Sequence, residues 1–272
     1  MIVENFYILE EIFNWLSITE VSKEEIYRMS QNLDIFLEQD FYVKSKWGHF
    51  KKYFIFTLEN KPLLFIKNVT EHFIEEVLGL HLSIDFFNTN LTFNKYLAGI
   101  YTVGFWKFKH SIPYMMTPYE EGKDLSKYEI TKFKHELGRQ AYFHEILSLY
   151  DVYDRHFIVR NDNTLCRIDL GRSFENLNKK YLGFFDFMRS HKLQFEDEEF
   201  QRGYEQEEQL IKKNIENKKE GLIELFQSIK NLKRDNEIVT FDVNLFLEHL
   251  SNYWKQMRFL EMDTEKNAID IL

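Results

Sequence analysis

The sequence predicts an α+β fold in two lobes, a strand-rich half followed by a helical half. Three observations carry that expectation. Apolar spacing changes from a helical period to an alternating one near Phe41, and returns to a helical period after Ser126. Between these regimes lies Thr117–Asp124, a polar segment holding Pro118 and Gly122 that marks the lobe boundary. Aromatic residues make up 17% of the 272 residues while Gly and Pro number only 10 and 3, which favours long regular elements around sizeable cores. The expected divisions are a helical extension over 1–39, a strand-rich lobe over 40–118 and a helical lobe over 119–272.

Phe6, Leu9, Phe13 and Leu16 share one helical face. Ser22 and Glu25 form a capping-box pattern that opens a second helix carrying Ile26, Met29, Leu33 and Leu37. Strands follow at Phe41–Lys46, Tyr53–Leu58 and Leu63–Lys67, with Gly48 in the first turn and Glu59-Asn60-Lys61-Pro62 as the second. Thr70 is placed to cap a short helix reaching Leu82. Two more strands are expected at Tyr96–Phe108 and Ile112–Met116. Past the boundary, Ser126 and Glu129 repeat the capping-box pattern ahead of a long helix to Tyr150. Phe157–Arg160 and Leu165–Ile168 form a hairpin around four polar residues, Asn161 to Thr164. From Glu196 the chain is helical, with Phe200, Tyr204, Leu210 and Ile215 inward, and a last helix spans Asp242–Leu260.

Composition excludes several classes. A formal net charge of -9 argues against general nucleic-acid binding, which needs a basic face. No apolar run is long enough to span a bilayer, so no transmembrane segment is expected, and Met1 to Leu16 lacks the basic start of a signal peptide. Cys166 is the single cysteine, which rules out an intramolecular disulfide and fits a cytoplasmic location. The histidines show no His-x-x-x-His or His-Glu-x-x-His spacing, so a zinc enzyme is not expected.

The chemistry-bearing stretch is Tyr153-Asp154-Arg155-His156, then the hairpin, then Ile168-Asp169-Leu170-Gly171. With four-residue strands and a four-residue turn, Phe157 faces Ile168. His156 and Asp169 then meet at the hairpin mouth with Asp154 just beyond. Both carboxylates should lie within about 10 Å, since paired strands sit ~5 Å apart and rise ~3.3 Å per residue. Such a pair divides labour, one group holding a metal and the other orienting or deprotonating a nucleophile.

Asp-Arg-His, a strand pair and Ile-Asp-Leu-Gly together resemble the catalytic and metal-binding segments of the phosphatidylinositol 3-/4-kinase superfamily and its bacterial HipA-like protein-kinase relatives. The preceding Glu136-Leu137-Gly138-Arg139-Gln140-Ala141 is similar to the helix that leads into this motif there. The resemblance covers residues 136–174. It implies a two-lobed protein-kinase-like fold, with Asp154 as the catalytic aspartate flanked by Arg155 and His156, and Asp169 as the metal ligand. It also implies ATP and Mg (or Mn) as cofactors. A protein Ser/Thr acceptor is expected rather than a lipid because the chain is small and its sequence shows no basic or amphipathic membrane-binding surface.

The strand-rich half offers the remaining parts such a fold needs. Lys67, ending the apolar run Leu63 to Ile66, resembles the strand lysine that contacts nucleotide phosphates, and Glu75 or Glu76 is its candidate partner. Gly48 would let backbone N–H groups approach the phosphates. Met115-Met116-Thr117-Pro118-Tyr119 resembles a hinge, making Met116 and Thr117 candidates for adenine contact. One position departs from the family. The asparagine expected five residues after the catalytic aspartate is Val159, which leaves open a nucleotide-binding pseudokinase, another transfer such as that of AMP, or a lipid kinase.

Overall fold

In a computed structural model the described residues are 10, 13–17, 22–30, 53–58, 61–68, 72–103, 110–149, 151–174 and 183–231. The strand expected at 41–46, Gly48, Thr70 and the helix expected at 242–260 lie outside them. The protein is α+β, with two small antiparallel sheets and several helices. By contact density it divides into two compact units, Met1–Thr70 with Lys95–Tyr119, and Glu71–Asn94 with Glu120–Leu272.

In the first unit, helix α1 (Lys23–Ser30) begins at the capping box read from sequence. Ser22 N–H donates to Glu25 Oε2 at 2.9 Å and Glu25 N–H donates to Ser22 Oγ at 3.2 Å, so two otherwise orphaned donors are satisfied. Strands β1 (Tyr53–Leu58), β2 (Lys61–Asn68), β3 (Leu97–Val103) and β4 (His110–Pro118) form one antiparallel sheet in the order β1-β2-β4-β3. Leu58 pairs with Lys61, so the β1–β2 connection is tighter than the four residues expected. The register shifts between Phe56 and Thr57, where Thr57 faces Pro62; a bulge there accommodates a residue with no N–H to give the ladder. Along β4, Met115 and Thr117 are buried while Met116 between them is partly exposed, the alternation of a strand with one inward face.

In the second unit, α2 (Phe73–His81) passes directly into a π-helical stretch, Leu82–Phe87, that ends at Asn88 in the left-handed region. Helix α3 (Lys134–Ile146) is buried on nearly every side. Its start corrects the expectation at Ser126. Asp124 instead caps a 3-10 turn, Leu125–Lys127, by accepting from Ser126 N–H at 3.1 Å, and Glu129 pairs with Lys132 at 3.2 Å. A second 3-10 turn, Ile130–Phe133, then leads into the helix. With Asp124 accepting the Ser126 N–H, Ser126 lies inside the capped 3-10 turn rather than at a helix start.

Helices α5 (Glu198–Asn217) and α6 (Lys219–Asn231) replace the continuous helix expected from Glu196. The inward stripe of α5 is Phe200, Gly203, Glu207, Ile211 and Ile215, and Leu210 is only half-buried. Two glycines explain how α5 meets α3. A Cβ on Gly138 would sit 1.9 Å from Phe200 O, and one on Gly203 would sit 1.9 Å from His135 O. The two backbones therefore touch, and any side chain at either position would force them apart. Beside the crossing, Arg139 pairs with the fully buried Glu207 at 2.8 Å.

The second sheet is small, in the order β5-β6-β7, built from β5 (Lys123–Asp124), β6 (Phe157–Val159) and β7 (Leu165–Arg167). Phe157, Val159 and Leu165 join Leu137, Phe184 of α4 (Gly183–Ser190) and Phe200 in one core. Each such fully buried side chain contributes about 1.5–3 kcal/mol. That core anchors both ends of the hairpin.

Candidate functional site

The hairpin exists as expected but its register differs by one residue. Phe157 pairs with Arg167, not Ile168. The cause is the turn. Asn163 N–H donates to Arg160 O at 3.0 Å and Arg160 N–H donates to Thr164 O at 3.0 Å, which leaves three loop residues rather than four. Asn163 takes the left-handed conformation that closes such a loop, at φ 63°, and Asp162 Oδ1 accepts from Thr164 N–H at 3.0 Å.

The shift decides what the hairpin mouth contains. Ile168 N–H donates to His156 O at 2.9 Å, extending the ladder one step past the strands. Asp154–His156 form a 3-10 turn on one side of the mouth, and Ile168–Gly171 leave on the other. Arg167 is turned inward and is fully buried, its guanidinium 5.4 Å over the Phe157 ring. It donates from Nε to Asp169 O at 2.7 Å, and from Nη2 to Asp151 O at 2.7 Å and Asp151 Oδ1 at 3.3 Å. One side chain thus ties together the approach to Asp154 and the turn at Asp169.

No protein-family model matches the chain, and no curated protein matches its sequence. The functional reading therefore rests on residues and geometry.

Each expected residue has a definite environment. Asp154 is part-exposed, with Oδ1 2.8 Å from His191 Nε2, just past the end of α4. The pair is close but off the line of a hydrogen bond, and Asp154 Oδ1 is buried without a hydrogen-bond partner among the described residues. Arg155 is exposed and lies 4.8 Å over the Tyr153 ring. His156 is buried; its burial, together with the Arg167 charge, pushes the imidazole down to about 3, so it is neutral. It serves as a packed member of the turn rather than a proton donor at neutral pH.

Asp169 Oδ1 accepts from Gly171 N–H at 3.1 Å. The position a Cβ on Gly171 would take lies 3.3 Å from Asp169 Oδ1 and also 3.3 Å from Glu76 Oε2. Those two carboxylates therefore converge over Gly171. Glu76 is buried to 1% exposure, whereas Glu75 lies 3.8 Å from His72 Nδ1. Of the two glutamates left open by the sequence, Glu76 is the one beside Asp169. Burial pushes the Asp151 carboxyl above its ordinary value, with Arg167 opposing and Asp169 adding to the rise.

Lys67 lies in β2 of the first unit, paired with Tyr53 and Met115. Met116 and Thr117 are interior to β4, which runs on to Pro118, and Thr117 faces Phe65 of β2. Val159 is buried in β6 opposite Leu165, as its sequence position implied.

Among the described residues no three His, Cys, Asp or Glu side chains are arranged to hold a metal ion by themselves. The donors that do converge, Asp169 and Glu76, are oxygen ligands of the kind Mg²⁺ uses with waters and phosphates to complete its shell. Buried polar atoms without partners among the described residues, Arg167 Nη1 and Asp154 Oδ1, leave hydrogen-bonding capacity at the same mouth. Sequence reasoning missed Arg167, Asp151 and His191. Only Arg167 carried a signal, a lone cation between Cys166 and Ile168 in an apolar strand.

Proposed function

We propose that the protein is an ATP- and Mg-dependent phosphotransferase of two-lobed, protein-kinase-like architecture, acting on a Ser/Thr hydroxyl of a protein. The observation that carries this reading is the shared mouth of the β6–β7 hairpin, where Asp154 precedes β6, Asp169 follows β7, and Arg167 joins Asp169 to Asp151, three residues ahead of Asp154. The motif resemblance assigns the roles. Asp154 orients the acceptor hydroxyl and takes its proton as the new oxygen–phosphorus bond forms and the bond from the γ-phosphorus to the β–γ bridging oxygen breaks, ADP leaving with that oxygen. Asp169, with Glu76 beside it, would hold the metal, and Lys67 would contact the nucleotide phosphates. The metal supplies charge neutralisation on the transferring phosphoryl group. No helix among the described residues is long and apolar enough to cross a membrane.

One observation favours a second reading, nucleotide binding without turnover. Val159, at the position where the resembling families place a metal-binding asparagine, is 2% exposed and locked in a strand. ATP labelled separately at its α and γ positions, incubated with Mg²⁺ or Mn²⁺, separates the readings. Label from the γ position on protein supports phosphotransfer. Label from the α position means transfer of AMP. Saturable binding with neither label transferred means a pseudokinase.

A further inference from the structure

Beside the Asp154 turn lies an open cavity of about 570 Å³ lined by Gly122, Lys123, Asp124, Lys127, Arg155 and Ile158. Three cations face it in a chain whose formal net charge is -9, so the patch is a local exception to the overall field. The neighbouring acids are engaged elsewhere. Asp124, the one carboxylate in the lining, turns back to accept from Ser126 N–H at 3.1 Å and from Ser126 Oγ. Glu120 pairs with Arg160 at 2.9 Å, and Glu129 pairs with Lys132 at 3.2 Å. Lys123, Lys127 and Arg155 have no ion-pair partner among the described residues, and all three are exposed. The 3-10 turn at 154–156 packs against both β5 and the 3-10 turn at 125–127, so Arg155 stands on the element that carries Asp154 and Lys123 and Lys127 on the two beside it.

We propose that this cavity is a docking subsite for the acidic flank of a polypeptide acceptor, with Lys123, Lys127 and Arg155 receiving carboxylates near the acceptor hydroxyl. The word acceptor rests on the phosphotransferase reading; the binding itself does not. Three separate cations spread around an open cavity suit several carboxylates along an extended chain better than one compact phosphate. The partly buried Ile158 gives such a chain an apolar contact between its charges.

The probe is a fluorescein-labelled peptide with one serine flanked by glutamates, compared with the same peptide carrying glutamines, and read by anisotropy without nucleotide. The glutamate peptide should bind, weaken as salt rises, and lose at least about 10-fold in affinity in Lys123→Glu/Lys127→Glu. Lys123→Gln/Lys127→Gln should show an intermediate loss, and unchanged thermal unfolding of both variants excludes misfolding. No binding by wild type, equal binding of the glutamine peptide, or equal affinity in the charge-reversed variant overturns the proposal. Preferential binding to phosphatidylserine vesicles, lost in that variant, would overturn it in favour of a lipid headgroup. Failure of this binding leaves the γ-label experiment unaffected, and failure of γ-transfer leaves this binding unaffected.

Discussion

Arg167 donates to the Asp151 carbonyl oxygen at 2.7 Å, joining residues sixteen positions apart just ahead of the Asp154 turn. The same guanidinium reaches the Asp169 backbone O at 2.7 Å, so the segment leading to Asp154 and the turn at Asp169 are tied to one buried cation. Its charge is offset by Asp151, Asp169 and Glu76 around it, although burial alone lowers its basicity.

Arg167→Met should therefore lose more than a side chain of its size implies, because the largely buried Asp151 carboxylate would lose the guanidinium 3.3 Å away and keep only the charge of Arg172 nearby. Loss of one partner from a buried pair costs about 3–5 kcal/mol. Urea unfolding of the two proteins measures it. Arg167→Lys should recover little, since an ammonium cannot reproduce the fork that reaches two backbone carbonyls. A loss below about 1 kcal/mol would show that the brace contributes little.

Acid should destabilise the fold through its buried, neutral histidines. His144 is buried in the core, 5.0 Å from Phe184 and 5.7 Å from Phe157 between ring centroids, and neither ring nitrogen has a hydrogen-bond partner among the described residues. Burial pushes its imidazole well below the ordinary value, and burial pushes His156 down to about 3. Both are neutral in the fold, so the unfolded chain binds more protons below about pH 6.5 and the native state loses ground as pH falls from there. The loss continues until the folded values are passed. The Asp151 and Glu145 carboxyls, both raised by burial, act in the opposite direction and offset part of that loss.

Two such histidines predict a stability drop of about 2–3 kcal/mol between pH 7.5 and pH 5.5. His144→Phe should remove roughly half of that drop and leave neutral-pH stability unchanged or higher, because an unpartnered polar ring is replaced by an apolar one in an aromatic pocket. Urea midpoints at the two pH values test this. The same pH dependence in His144→Phe would mean the ring is already solvated or charged.

His191 Nε2 lies 2.8 Å from Asp154 Oδ1. If it holds Asp154 in place, His191→Ala should reduce turnover by up to about 10²-fold, the penalty of small misplacement at a reacting centre, with nucleotide affinity little changed. Single-turnover rates and an independent binding titration separate the two quantities. A change confined to affinity would remove His191 from this role.

Local signals carried the expectations that held. The Ser22–Glu25 capping box, the strand Tyr53–Leu58 and the presence of a hairpin after Asp154 each depend on neighbours within a few residues. The hairpin register was misread because a polar quartet is compatible with three or four loop residues, and the choice fell to Asn163 entering the left-handed region. Ser126 was misread for a similar reason, with Asp124 supplying the better cap. The site's bracing was not legible at all. Arg167 meets Asp151, and His191 meets Asp154, only once the core around Phe157, Phe184 and Phe187 has formed. Nor could spacing show that Glu76 rather than Glu75, its neighbour on the same helix, lies beside Asp169; that follows from packing against Gly171.

The role of Asp154 is the central claim. The most direct measurement is transfer of γ-labelled phosphate by wild type and by Asp154→Asn, alongside nucleotide affinity for each. The substitution keeps the shape of the side chain and removes its charge and basicity. The account predicts nucleotide affinity within about 2-fold of wild type and transfer slowed about 10²–10⁴-fold, the usual cost of losing general-base assistance. Transfer by Asp154→Asn at the wild-type rate would contradict it, and with it the assignment of the hairpin mouth as a phosphotransfer site.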